Sequence, residues 1–176
     1  MEQAKAVVEF WKQAGPQRWF ARDAVFDAHF GERFLQHHHA AARREYEEWL
    51  CTADGVLALM VLLDQYPRNA FRGSAHSYAT DPLARHYAMR AIEEGMDLLL
   101  DAQLRPFVYL PFEHSEDPVD QERSVAMFQA LGDPQSLEYA LIHRDVIQRF
   151  GRFPHRNAAL GRIPTVAELQ YLANGG

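Results

Sequence analysis

An all-α fold of roughly seven or eight helices in a single domain is what this sequence predicts, and three observations carry the prediction. Apolar residues recur at three- and four-residue intervals through most of the chain. Proline, glycine, aspartate and threonine stand where helices should start and stop. The one stretch with strand-like alternation, within "PFVYLPFEHSEDP", is divided by prolines and has no partner strand elsewhere.

Residues 4–14 set Val7, Val8, Phe10, Trp11 and Ala14 at helical spacing, and Gly15-Pro16 stops that helix. A second pattern runs from Asp23 with Phe26, Phe30, Phe34 and His37 on one side, weakened locally by Gly31. Residues 37–50 open with three histidines and read as a charged, mostly solvated helix anchored by Tyr46, Trp49 and Leu50. "GVLALMVLLDQ" differs in kind, because residues 56–63 are all apolar; its alanine, methionine and leucine favour a central helix walled by others. Asp81-Pro82 starts the next helix, Asp117-Pro118 another over 118–131 ended by Gly132, and Asp133 or Ser136 caps one that runs to Phe150. Thr165 and Glu168 have capping-box spacing for a short last helix.

At 176 residues, 48% hydrophobic and 24% charged, the chain suits one domain, 1–176, with a substantial core. Its net charge of −6 does not attract nucleic acid, and no recognition motif for one is present. Between His143 and Arg162, however, five arginines face one acid, Asp145, a local +4 that leaves −10 for the rest. Arginine outnumbers lysine 16 to 2, favouring bidentate carboxylate or oxyanion pairing. Cys51 is alone, which excludes an intrachain disulfide framework and suits a reducing compartment. The first residues lack the pattern of a secretory leader, and no apolar run approaches the roughly 20 residues of a spanning helix; a cytoplasmic, non-membrane protein is expected.

Three groups of residues could carry chemistry. Asp64 and Gln65 end the apolar run, with Arg68, Asn69 and Arg72 close behind; a buried Asp64–arginine pair is a structural clamp, and an unpaired arginine there would bind an anion. In "EHSED", Glu113, His114, Glu116 and Asp117 follow the aromatic stretch. In "HRDVIQRFGRFPHRN", His143 lies on the apolar side of a helix with Tyr139, Ile142, Val146, Ile147 and Phe150. Asp145 and Arg149 are four apart in intrahelical pairing order, and Arg152, His155, Arg156 and Asn157 follow Gly151. His37–His39 reads as a solvated run. No metal signature, phosphate loop or dinucleotide fingerprint occurs, so no metal or cofactor is expected, and no serine or cysteine sits in a nucleophile pattern.

The segments "VVEFW", "WF", "LLDQYPRNAFRGS", "YLPFEHSED" and "HRDVIQRFGRFPHRNAALGR" closely resemble a bacterial family of unassigned function, domain-of-unknown-function family 924, from about Val7 to Leu172. The resemblance implies a tetratricopeptide-like helical superhelix without that repeat's consensus. It transfers no catalytic residue. Tyr66 stands where the family often has phenylalanine, and His37–His39 belongs to no motif of the family.

Three functions fit. The first is a module binding an anionic small molecule or short acidic peptide through Asp64, Gln65, Arg68, Asn69, Arg72, His114, Arg152, His155, Arg156 and Asn157. In the second, a hydrolase or transferase acts on a phosphorylated or carboxylated substrate, with His114 or His143 as acid or base and Glu116 or Asp145 orienting it. The third is a scaffold whose charges are all paired internally. Oligomeric state is not legible.

Overall fold

The computed structural model describes residues 2–175, and every regular element among them is helical. Two compact units emerge, one built from residues up to Arg72 together with His76–Pro111, the other from Gly73–Ala75 together with residues from Phe112 onward.

In the first unit α1 (Glu2–Ala14) buries Val7, Val8, Phe10 and Trp11, and a short turn of helix, α2 (Pro16–Trp19), brings the Trp19 indole N–H to Trp11 O at 2.7 Å. Asp23 caps α3 (Ala24–Ala42) by accepting from the Val25 and Phe26 amides. Phe26, Phe30 and Phe34, four residues apart, form one ridge against Phe10 and Trp11. This helix is longer than its sequence pattern suggests. It passes through Gly31 and through all three histidines of the run, then stops at Arg44, which takes φ 65°, before a 3₁₀ turn at Glu47–Cys51.

Thr52 caps α4 (Ala53–Met60), which packs against α1 and against α6 (Asp81–Glu93). Every residue from Gly55 to Gln65 is buried, so the all-apolar stretch is the central helix the composition predicts. Complete burial of Leu57, Leu59, Leu62 and Leu63 stabilises the fold by about 1.5–3 kcal/mol each relative to exposure.

The central helix widens at Val61–Gln65 into a π turn before α5 (Tyr66–Ala70). Pro67 explains the widening, because it has no N–H to give Leu63 O and its ring crowds that carbonyl. The Tyr66 amide reaches back five residues to Val61 O. Leu63 O accepts instead from the Thr80 hydroxyl at 2.5 Å, and Leu62 O from His38 Nδ1 at 2.9 Å. Thr80, not Asp81, occupies the N-cap position of α6, without a side-chain cap.

The aromatic stretch before "EHSED", for all its strand-like alternation, forms α7 (Pro106–Glu113). Pro111 lies inside it and marks the boundary between units. In the second unit, α8 (Pro118–Leu131) and α9 (Pro134–Phe150) form a helical hairpin. Asp117 and Asp133 cap their starts, and Gly132 and Gly151 end them in the left-handed conformation that glycine adopts without a Cβ clash. Val146, Ile147 and Phe153 make a small core, with Phe150 and Tyr171 packed on it. The last helix, α10 (Val166–Ala173), starts at a complete Thr165–Glu168 capping box.

A Cβ at Gly55 would collide with the Trp49 backbone carbonyl, and backbone cannot move aside as a flexible side chain can. Gly55→Ala is therefore expected to lower unfolding stability by about 3 kcal/mol, read from the midpoint of a urea melt.

Candidate functional site

The sequence motifs fall into two clusters, one in each unit. In the first, Arg68 lies between two carboxylates. It donates bidentately to Asp81 at 2.7 and 2.9 Å and approaches Asp64 Oδ1 at 3.0 Å, while also reaching Asp64 O at 2.8 Å. Asp64 is fully buried, and the Gln65 amide donates to its other oxygen at 2.6 Å. Burial alone would favour the neutral guanidine, but the charges of Asp64 and Asp81 and the hydrogen bonds of Asp81 raise the Arg68 pKa instead.

One turn on, Asn69 and Arg72 each donate to one oxygen of Asp27 on α3, at 2.7 and 2.9 Å. The Tyr66 hydroxyl donates to Gly31 O at 2.7 Å, and burial pushes its pKa up to about 12. Asp64, Gln65, Arg68, Asn69 and Arg72 thus tie α3, the π turn and α6 together. Of the acids that receive these arginines and Asn69, Asp27 carried no signal in the sequence and Asp81 was read only as a helix start.

His38 departs furthest from expectation. A solvated run was expected at His37–His39, yet His38 is 0% exposed, stacked on Tyr66, and its Nε2 stands 3.1 Å from His76 Nε2. The α3 surface that holds His38 faces the π turn, and sequence spacing alone does not show a helix which neighbour it will meet.

In the second unit Gln121 gathers the end of α7, its amide donating to Glu113 O at 2.7 Å and Ser115 O at 2.6 Å. The Ser115 hydroxyl donates to Asp120. Glu116 accepts from the Phe153 amide at 2.8 Å and from both terminal nitrogens of Arg162. Burial opposes its ionisation, but the Arg162 and Phe153 hydrogen bonds and the charges of Arg162 and Arg156 outweigh burial and hold its pKa below the usual range. Arg152 is joined bidentately to Glu168 at 2.6 and 2.8 Å, and that carboxylate is strongly depressed, chiefly by Arg152 and then by the Thr165 amide. Arg152 and Glu168 also line a shallow surface depression with Arg149, Phe150, Thr165 and Ala167, and none of the histidines borders it.

The remaining groups surround Phe153. Arg156, 6% exposed, lays its guanidinium over the Phe153 ring at 4.5 Å and donates to His114 O at 2.9 Å. His143 meets that ring edge-on at 5.5 Å, with His155 at 5.6 Å from it and His114 at 6.4 Å from His143. His143 Nδ1 is 2.9 Å from Tyr139 O and 3.3 Å from Glu113 Oε1. Both neighbours are acceptors, so Nδ1 carries the proton and Nε2 the lone pair. Burial, followed by the positive charges of His114, His155 and Arg156, lowers the His143 pKa to about 4 against the lifting effect of Tyr139 O. Asn157, next in sequence to Arg156, is buried. It lies near enough to Glu168 to favour that carboxylate's charge, yet neither its amide nitrogen nor its oxygen makes a well-formed hydrogen bond.

Two expectations for α9 are corrected. Asp145 pairs with its neighbour Arg144 at 3.3 Å, while Arg149 stacks on Phe150 and Tyr171, aromatic faces that compete successfully for it. Glu113, not Glu116 or Asp145, orients His143, because Glu116 is engaged by Arg162. The packed face of the helix is formed by Ala140, Val146 and Ile147, which leaves Ile142 48% exposed.

An all-helical protein with charged motifs folded into internal clamps and one histidine–arginine cluster is the class these features define. Residues 7–176 match the family described as "Bacterial protein of unknown function (DUF924)", and the chain belongs to that family. It is similar to a solved structure titled "Structure of Protein of Unknown Function ATU0120 from Agrobacterium tumefaciens", with 53% identity, a TM-score of 0.96, and 99% of this chain and 98% of that one covered. No curated protein matches the chain.

Replacing Arg68 with alanine leaves Asp64 buried beside the loss of its cation, and unfolding stability should drop by about 3–5 kcal/mol. Arg72→Ala removes a pair whose guanidinium is more than a third exposed and should cost under about 1 kcal/mol. Urea melts of the two variants side by side measure the difference.

Proposed function

We propose that this protein binds a small anion, a phosphorylated or carboxylated molecule or a short acidic peptide end, at the cluster of His114, His143, His155, Arg156 and Asn157. The observation that carries the proposal is geometric: the buried Arg156 guanidinium lies over the Phe153 ring at 4.5 Å, His143 and His155 stand against the same ring at 5.5 and 5.6 Å, and His114, whose carbonyl accepts from Arg156 at 2.9 Å, stands beside His143. The nearby carboxylates of Glu116 and Glu168 are already engaged by Arg162 and Arg152. Asn157 adds a buried amide close by in sequence, whose oxygen has no well-formed partner. Arg68, Arg72 and Arg152, which the sequence also nominates, are held by carboxylates of their own units.

One observation favours a second, enzymatic reading. Glu113 and Tyr139 O fix the His143 tautomer so that a neutral Nε2 presents its lone pair, as a general base requires, with Arg156 near enough to stabilise developing charge. A hydrolase or transferase acting on the same anionic class would use these groups. We further place the protein in the tetratricopeptide-like helical class and in the cytoplasm, supported by the all-helical content, the family resemblance and the single, exposed, free Cys51.

Calorimetric titration with inorganic phosphate and a panel of phosphorylated and carboxylated metabolites tests the proposal, with product analysis on the same samples for the enzymatic reading. A bound anion stabilises the imidazolium, so His143 should take up a proton on binding and the affinity should rise as pH falls below neutrality toward about 4. Arg156→Gln should weaken binding about tenfold or more, and His143→Gln should flatten the pH dependence. Absence of saturable heat above a millimolar background overturns the reading.

A further inference from the structure

We infer that His38, His39 and His76 form a binding site for a divalent transition-metal ion of the Zn²⁺ type. A ring nitrogen from each of the three lies within 4.8 Å of a ring nitrogen of the other two. The ring centres are 5.3 Å apart for His38–His39, 5.3 Å for His38–His76 and 6.0 Å for His39–His76. Three imidazoles on one ion at about 2.0–2.1 Å would hold their centres roughly 5–5.5 Å apart and their nitrogens roughly 3.3 Å apart. His38 Nε2 and His76 Nε2, at 3.1 Å, are already at that spacing, and the half-buried His39 needs only a small side-chain adjustment to join them.

The surroundings are those of a ligand set. Because Leu62 O is an acceptor, His38 Nδ1 carries the proton and Nε2 presents its lone pair toward His76. A metal-bound imidazole usually donates its second N–H in this way, which fixes tautomer and ring direction together. Here the carbonyl is available because the π turn sends the Tyr66 amide to Val61. Phe71 stacks flat on His76 at 3.9 Å and Tyr66 on His38 at 5.0 Å, so two of the three rings are held in place by aromatic walls. An all-imidazole set selects Zn²⁺, Cu²⁺, Ni²⁺ or Co²⁺ over the oxygen-seeking Mg²⁺ and Ca²⁺. Three protein ligands would leave a fourth position for water or a substrate atom, the ligand count of a catalytic rather than a structural ion.

The test uses the full chain without a histidine tag, stripped with chelator and titrated with Zn²⁺ by calorimetry and with Co²⁺ by visible absorption. One saturable site, a Co²⁺ spectrum of low-coordinate nitrogen ligation and a higher melting temperature with Zn²⁺ are expected. His76→Gln, at a half-buried position, should weaken Zn²⁺ binding about tenfold or more, His39→Gln likewise, and exposed His86→Gln not at all. His38→Gln removes a buried partner of Leu62 O and is interpreted only if circular dichroism shows it folded. Either of two results overturns the inference: no saturable Zn²⁺ site, as expected if His76 merely donates its N–H to His38, or a site whose affinity is unchanged in folded His76→Gln and His39→Gln.

Discussion

Pro67 cannot donate a backbone hydrogen bond, and much of the first unit depends on that one missing N–H. A buried helix with eight consecutive apolar residues would otherwise satisfy its own carbonyls and present only hydrocarbon to its neighbours. The proline forces the π turn at Val61–Gln65, which turns the Leu62 and Leu63 carbonyls toward His38 and Thr80. Buried carbonyls need donors, and these two supply them from α3 and from the start of α6. The same widened turn sets Asp64 in full burial, where it requires Arg68, and Arg68 in turn requires Asp81 to complete its fork.

Charge is arranged on the same principle in the second unit, with a different outcome. Arg162 and Arg152 are held by Glu116 and Glu168, so the local arginine surplus is reduced inside the fold. Positive character then concentrates around Phe153, where Arg156 covers one face of the ring and three histidines stand close by. The clamps contribute stability, and the cluster around Phe153 is where the proposed anion would bind.

The sequence was most informative where structure is local. The central helix over 56–63, the Asp117-Pro118 start, the Gly132 stop and the Thr165–Glu168 capping box all depend on neighbours within a few residues, and each is found as expected. Arg68 answering Asp64 was legible for the same reason, being four residues away. The errors come from longer range. "PFVYLPF" gave no helical signal, its alternation being strand-like though a sheet was not expected, and it forms one short helix with prolines at its start and late in it. His38 looked solvated within a histidine run because its partners, Leu62 and His76, lie 24 and 38 residues away. Asp145 and Arg149 had ideal spacing, but Tyr171, from another helix, draws the guanidinium away.

The central claim is that a proline-driven π turn directs side-chain chemistry by releasing a buried carbonyl, and the protonation of His38 reports on it directly. Long-range proton–nitrogen correlation NMR on ¹⁵N-histidine-labelled protein, stripped of metal and held near neutral pH, distinguishes the two ring nitrogens. The account predicts a neutral His38 ring with the proton on Nδ1, toward Leu62 O, and an unprotonated Nε2. A ring carrying its proton on Nε2, or a doubly protonated ring at neutral pH, would contradict it.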